Sequence, residues 1–307
     1  MNKSGKYLLA KEMKEKGYPF KRIIEMLEIK KSTYYYHFKE KNLVREYKKR
    51  GRKKSEFVNT MNGKIRNEEL KKLILEKCKN EDAMTPEYYI KTMGSKKMKS
   101  YLYYEHGIYI GHNRLHGFRK ELGLVRKYEN KTKHPVKREQ NRTITKQNQL
   151  WEADIKFFNA GGDGIVPLLD IIDVYDRNIV ATHIGKRCTH EDFLELIEIA
   201  IKARGEKPEV IRTDNGSQFK ANKTREKMKE LGIIHEFGYK HNPDSQAFIE
   251  SQHANLEREF VALNKFKSVK DLYLKYLVYM DYYHNLRPHS SLGYKTPKQF
   301  NAIQSFG

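Results

Sequence analysis

Three acids, Asp154, Asp214 and Glu250, stand where folding could bring them into one pocket. Asp154 lies in an apolar, strand-like run. Asp214 directly follows the short strand-like run Val210–Thr213, and Glu250 opens a helix-like stretch after the loop 241–246. Acids at strand ends and helix starts along one sheet edge can converge. Three carboxylates suit an in-line displacement at phosphorus, in which attacking and leaving oxygens are both activated by two Mg²⁺ ions about 3.5 to 4 Å apart. Because positioning supplies most of the rate, the same acids serve water or a 3′-hydroxyl, so strand cutting and joining can share one site. Any one of the 39 Asp and Glu reads equally well as a surface charge, and spacing alone leaves the choice open.

The elements that must position these acids begin at Trp151. Strand-like runs cover 151–158, 165–174 and 178–184, with Gly161-Gly162-Asp163-Gly164 as the turn between the first two. A helix over 191–203, a strand Val210–Thr213, a helix near 217–231, a strand 233–237 and long helices from about Ala247 and Asp271 follow. A hairpin-led sheet followed by alternating helices and strands is a mixed α/β layer fold. Gly216 permits a sharp turn after Asp214, and Asn215 can brace that turn through its own backbone. Asp170, Asp173 and Asp176 are rival acids, but strand alternation puts Asp170 and Asp173 on opposite faces, and none is expected to bind metal.

The first half is built differently. Of the net charge of +22, residues 1–150 supply all of it (39 Lys and Arg against 17 Asp and Glu), whereas 151–307 balance at 22 and 22. A basic half of this kind suits a polyanionic nucleic acid. Residues 6–16, 20–27 and 32–38 read as three short helices, with Ile23, Ile24 and Leu27 as an apolar stripe and Ser32 as N-cap of the third. That outline is a helix-turn-helix whose last helix would offer Ser32, Thr33 and Tyr34 to a DNA groove. The run Lys48, Lys49, Arg50, Arg52, Lys53 and Lys54 would track phosphates from a basic linker over 41–66. A second helical DNA-binding unit is expected over 67–126, a basic linker over 127–148, and the catalytic core over 149–307. Cys78 and Cys188 form no paired pattern, and no apolar run approaches a membrane span, so no membrane partner and a reducing, cytoplasmic setting are expected. His241, His284 and His289 receive no role, since lone histidines are more often structural.

Several segments together resemble a known family. They are Trp151-Glu152-Ala153-Asp154, Thr213-Asp214-Asn215-Gly216-Ser217-Gln218-Phe219, Ala247-Phe248-Ile249-Glu250-Ser251, and the closing run from Tyr283-His284-Asn285-Leu286-Arg287-Pro288-His289 to Thr296-Pro297. They resemble the second-frame transposases of the insertion sequence three family, which are similar to retroviral integrases. The 35 residues between Asp214 and Glu250 (250 − 214 − 1) match that family's D,D(35)E signature. Residues 27–35 are similar to its helix-turn-helix, and 113–124 to the helix ending its second N-terminal unit. The resemblance implies a ribonuclease-H-like core with flanking helices, preceded by all-α helix-turn-helix units. It implies Asp154, Asp214 and Glu250 as catalytic, metal-binding residues, two Mg²⁺ ions for which Mn²⁺ can substitute, and cleavage and strand transfer of DNA. The implied partners are double-stranded DNA, as terminal inverted repeats and target, a second copy of the chain on DNA, and an upstream-frame product joined by fusion or association.

Two departures bear on that expectation. Ser245-Gln246-Ala247 stands where the family often has Asp-Asn-Ala, and Glu257 stands where it usually has Lys or Arg. Seven residues make two helical turns, so Glu257 would face DNA nearly under Glu250, with Arg258 about 80° further round as a partial substitute. The alternative reading is a catalytically impaired DNA-binding regulator or degenerate copy.

Overall fold

The computed structural model describes residues 3–38, 55–125, 143–238 and 246–304, in two compact units, Met1–Lys54 and Ser55–Gly307.

In the first unit, α1 (Lys3–Glu15), α2 (Phe20–Met26) and α3 (Lys31–Phe38) bury Ala10, Ile23, Leu27 and Tyr34, with Leu9, Met13, Phe20, Ile29 and Phe38 packed around them. The expected three-helix outline is present. Helix α3 starts at Lys31, so Ser32 lies inside its first turn rather than capping it.

The second unit opens with a hairpin, β1 (Phe57–Thr60) and β2 (Gly63–Arg66), inside the stretch read as linker. Helix α4 (Asn67–Cys78), a 3₁₀ turn (Pro86–Thr92), α5 (Ser95–His106), β3 (Ile108–Tyr109) and α6 (His112–Glu121) follow. β3 returns to pair with β1, so this helical region also holds a three-stranded antiparallel sheet, β2-β1-β3. Strands of two to four residues closed by a partner some fifty residues away leave little periodic trace in the sequence.

The main sheet contains β4 (Leu150–Asn159), β5 (Ile165–Asp173), β6 (Ile179–Ile184), β7 (Val210–Thr213) and β8 (Ile234–Phe237) in the order β6-β5-β4-β7-β8. The three leading strands are antiparallel, whereas β4, β7 and β8 run parallel. That order is the ribonuclease-H-like arrangement. Helix α7 (His190–Arg204) makes the crossover from β6 to β7, begun by a Thr189–Asp192 capping box. Helices α8 (Ser217–Lys220) and α9 (Asn222–Leu231) connect β7 to β8. The C-terminal part holds α10 (Ala247–Asn255), running into a π turn at Leu256–Phe260, then α11 (Val269–Asp281), a second π turn at Tyr282–Leu286, and α12 (Pro297–Gln304). Among the described residues no helix is long and apolar enough to cross a membrane.

Strand alternation decides what each face of the sheet meets. Trp151 and Ala153 of β4 and Leu169 and Ile171 of β5 pack with Phe193, Leu196 and Ile197 of α7. Phe158, Leu168 and Ile172 face the other way, onto Ile249, Leu256, Phe260, Tyr276 and Tyr279. This second core extends without a break into Val58, Leu70, Ile74, Tyr89 and Leu102. Residues 57–122 are therefore built onto the helical side of the main sheet, not set apart from it.

A buried ion cluster joins the same two regions. Arg287 holds Glu259 through Nε at 2.6 Å and Nη2 at 2.9 Å, and Lys97 of α5 reaches Glu259 at 3.1 Å. Burial alone would push the Glu259 carboxyl up, but Arg287 and Lys97 outweigh it and hold it down to about 2. Removing one partner of a buried pair strands the other charge, at a cost of about 3 to 5 kcal/mol. Arg287→Met is expected to lower stability by about that amount in denaturant titration; a loss under about 1 kcal/mol would show Lys97 to be a sufficient partner.

Candidate active site

The even residues of β4 lie on the face covered by α10, and they meet that helix in succession. Buried Glu152 accepts hydrogen bonds through Oε2 from the backbone N–H of Phe248 (3.1 Å) and Ile249 (2.9 Å), closing the N-terminus of α10. Two residues on, Asp154 Oδ2 lies 3.2 Å from Nδ1 of His253. Lys156 Nζ lies 3.1 Å from Glu257 Oε2, and Phe158 packs against Phe260 edge to face. Gln246 ties the helix start to both central strands by donating to the carbonyls of Ala153 (3.1 Å) and Arg212 (3.4 Å).

The structure brings Asp154 and Asp214 together. Ala153 and Thr213 are register partners on parallel neighbours, so the two acids emerge side by side at the strand ends. Partial burial pushes the Asp214 carboxyl up, as does the neighbouring Asp154 charge, against the pull of the Gly216 N–H and Lys220. Gly216 donates its N–H to Asp214 Oδ1 at 2.8 Å, and a Cβ there would collide with that carboxylate and with the Gln218 amide. Asn215 does not brace its own turn; its side chain donates to the carbonyl of Gly238 at 2.9 Å, pinning the end of β8.

Glu250 is exposed on α10, one turn before His253. It does not close on the two aspartates: among the described residues no three His, Cys, Asp or Glu side chains gather as a metal cage. The donors are hard carboxylate oxygens of the kind Mg²⁺ takes. Asp170 is the register partner of Asp154, but it is fully buried and accepts from the hydroxyls of Tyr276 and Thr182. Asp173 and Asp176 are held by Arg204 at 2.7 and 3.0 Å. All three rivals are thus occupied in the core.

Of the DNA-binding candidates, Ser32 and Thr33 are exposed on α3, but Tyr34 is only 4% exposed. That expectation is corrected: Tyr34 sits on the face that packs on Ile23 and Leu27, and Tyr35 and Tyr36 take the outer face. Lys48, Lys49, Arg50, Arg52, Lys53 and Lys54 lie outside the described residues. Arg258 is exposed and donates to Asn255 Oδ1 at 2.8 Å. His284 and His289 are structural. His284 accepts from the Ile179 N–H, and both are pushed well down by burial; His241 lies outside the described residues.

Comparison with known proteins gives the same reading of the core. Two family models, each described as an integrase core domain, match residues 144–243 and 231–297. The chain is 26% identical over 163 residues to the transposase for insertion sequence element IS904 of Lactococcus lactis subsp. lactis, covering 52% of this chain and 64% of that protein. It is 21% identical to the InsK protein of insertion sequence element IS150 of Escherichia coli K12, covering 92% of this chain and 93% of that one. The HTLV-2 integrase catalytic core, determined with magnesium, aligns over 50% of this chain and 95% of its own length at a TM-score of 0.40 and 18% identity. The chain carries an integrase core domain over residues 144–297, and the relatives it is similar to are insertion-sequence transposases. Its match spans just under two thirds of the Lactococcus relative.

Within this chain the side chains that sequence reasoning missed are those that hold α10. Glu152 was visible only as a letter beside Asp154; nothing in a strand pattern says that a buried acid will cap a helix about a hundred residues later. His253 and Gln246 were hidden for the same reason. Burial pushes the Glu152 carboxyl up to about 7, although the two N–H donors and Arg212 favour its charged form. A folded value raised above the ordinary 4.5 means that this group's stabilising contribution is complete below that pH and is lost as pH rises through about 7. Glu152→Gln should therefore gain stability relative to the parent chain between those pH values, measured by thermal unfolding; an unchanged difference would mean that Glu152 titrates normally. Glu152→Ala should cost about 1 to 2 kcal/mol through the lost cap.

Proposed function

We propose that this chain is a DNA transposase, a polynucleotidyl transferase that cuts insertion-sequence ends and joins them to target DNA. Asp154 and Asp214, side by side at the ends of parallel strands with α10 fixed along β4, carry this reading. Asp154, Asp214 and Glu250 would hold a divalent metal, Mg²⁺ with Mn²⁺ able to replace it, as a pair of ions. When bound, the metal activates the attacking oxygen and stabilises the leaving one. The chain's own part is to hold the acids at fixed strand ends and to keep α10 at a set height over β4. The helix-turn-helix binds terminal inverted repeats through Ser32, Thr33 and its two outward tyrosines, and the basic run that follows tracks phosphates. Self-association on DNA and help from an upstream-frame product belong to the same proposal.

The reading as an impaired regulator rests on Glu257. In the structure Lys156 reaches Glu257, so the pair keeps one cation beside the acids although the helix position is acidic. Lys156 takes the DNA-facing role, and Glu257 orients it. Glu257→Lys alone would set two ammonium groups against each other and should reduce strand transfer. The exchange Lys156→Glu with Glu257→Lys should recover it. Failure of the exchange, with Glu257→Lys more active than the parent chain, would favour the impaired copy.

The direct test is cleavage and joining of a labelled duplex bearing the element's own terminal repeat, with Mg²⁺ or EDTA, and with the upstream product present or absent. Asp214→Ala and Asp154→Ala should lower joining on the order of a thousandfold, as expected for losing several kcal/mol of metal-borne stabilisation, while duplex binding stays within a few fold. Joining that survives either substitution would remove the triad; binding without joining under every condition would favour the regulator.

A further inference from the structure

The side of α10 turned away from the acids borders a cavity of about 520 Å³. Ala247, Phe248, Ser251, Gln252, Asn255 and Arg258 line it. On an ideal helix Phe248, Gln252 and Asn255 lie roughly 140 to 200° round from Glu250, so one helix separates this cavity from the catalytic face.

The rest of the wall is cationic. Lys97, Arg177 and Arg287 join Arg258, hydroxyls come from Ser251, Ser290 and Ser291, and no Asp or Glu lines the cavity. Only part of this charge is answered. Glu259 takes up Arg287 and Lys97 from behind the wall. Arg177 spends Nε on Ser291 Oγ at 3.2 Å and lies 3.9 Å from the Phe248 ring centre, but its Nη1 is buried without a hydrogen-bond partner. Gln252, 2% exposed, has both amide atoms buried without a partner. Such groups are costly to leave unused, and two of them in one cavity wall are unusual. Burial, and after it the nearby Arg287, pushes the Lys97 ammonium down to about 8 against the pull of Glu259.

We infer that this cavity binds a phosphate group, held by Arg177, Arg258, Lys97 and Gln252 on the far side of α10 from Glu250. Guanidinium groups, an ammonium, an amide N–H and serine hydroxyls are the donors that phosphate oxygens take. The volume exceeds a bare phosphate and admits the sugar attached to it. The favoured source is a phosphodiester of a DNA strand, a choice that rests on the transposase reading; a free phosphate or nucleotide has the same headgroup chemistry. Occupancy would brace α10 from behind while its front carries Glu250.

The test uses the full chain, in EDTA, with two variants. Gln252→Leu removes the unpartnered amide, and Ser290→Glu places an anion at an exposed rim position, so a folding failure of the first leaves the second. Thermal unfolding is followed with millimolar inorganic phosphate against chloride of equal ionic strength, and labelled-duplex affinity is measured at fixed salt. Phosphate should raise the unfolding midpoint of the parent chain and of neither variant. Duplex affinity should fall about tenfold in each, the loss expected for one charge-assisted contact. Loss of the phosphate effect with duplex affinity unchanged would keep the site and name a free phosphate or nucleotide as its ligand. Variants that match the parent in both readouts while the parent chain joins DNA ends would overturn the cavity and spare the transposase reading. Variants that lose binding while the parent shows no metal-dependent joining would do the reverse.

Discussion

The structure depends on one long contact, the laying of α10 along β4. Four residues of an α-helix rise about 6 Å, and two residues of a strand rise about 6.6 Å, so a helix and a strand running side by side can meet at repeated steps. Glu152 meets the helix start at Ile249, Asp154 meets His253, Lys156 meets Glu257, and Phe158 meets Phe260. The helix steps are four, four and three residues, and the π turn at Leu256–Phe260 falls where the last of them is made. Because α10 is fixed at both ends of this ladder, the position of Glu250 along β4 follows from packing rather than from the loop before it.

That ladder is chemically mixed, and the mixture has a reason. Its first rung is a buried carboxylate whose burial costs enough to raise its pKa to about 7, yet which satisfies two backbone N–H groups that nothing else on the helix could reach. Its last rung is purely apolar. Between them lie a histidine and an ion pair at the edge of solvent, next to the acids. Polarity is therefore highest beside Asp154 and Asp214 and falls away into the core shared with residues 57–122. The Glu259–Arg287–Lys97 cluster fixes that shared core from the other side of the same helical segment.

The front of α10 and its back carry opposite charge environments. Asp154 and Asp214 stand in front, and four cations, with Arg177 Nη1 and the Gln252 amide lacking hydrogen-bond partners, line the cavity behind. A single helix thus lies between the proposed metal site and the proposed phosphate site, and both are reached by strand ends or turns of the same sheet. The Arg177 turn between β5 and β6 belongs to the second, as the Asp214 turn belongs to the first.

Sequence alone determined the broad organisation. Apolar runs bounded by turn signals fixed the strands around 151–184, and the break at Gly17 and Pro19, with the apolar stripe of residues 23–27, fixed the N-terminal helices. The carboxylates at 154, 214 and 250, with their flanking motifs, marked a candidate site because local motifs survive in linear form, and the structure sets two of them, Asp154 and Asp214, side by side. Tertiary structure decided the rest. The hairpin at 57–66 was invisible because its strands are stabilised by β3 and not by their own pattern. Tyr34 turned inward because a three-helix core of this size needs an aromatic, and only packing chooses which one. Glu152, Gln246, His253 and Lys156 acquired roles only when β4 and α10, about a hundred residues apart, were laid together. A contact of that separation is set by the burial of whole faces, and no spacing along the chain encodes it.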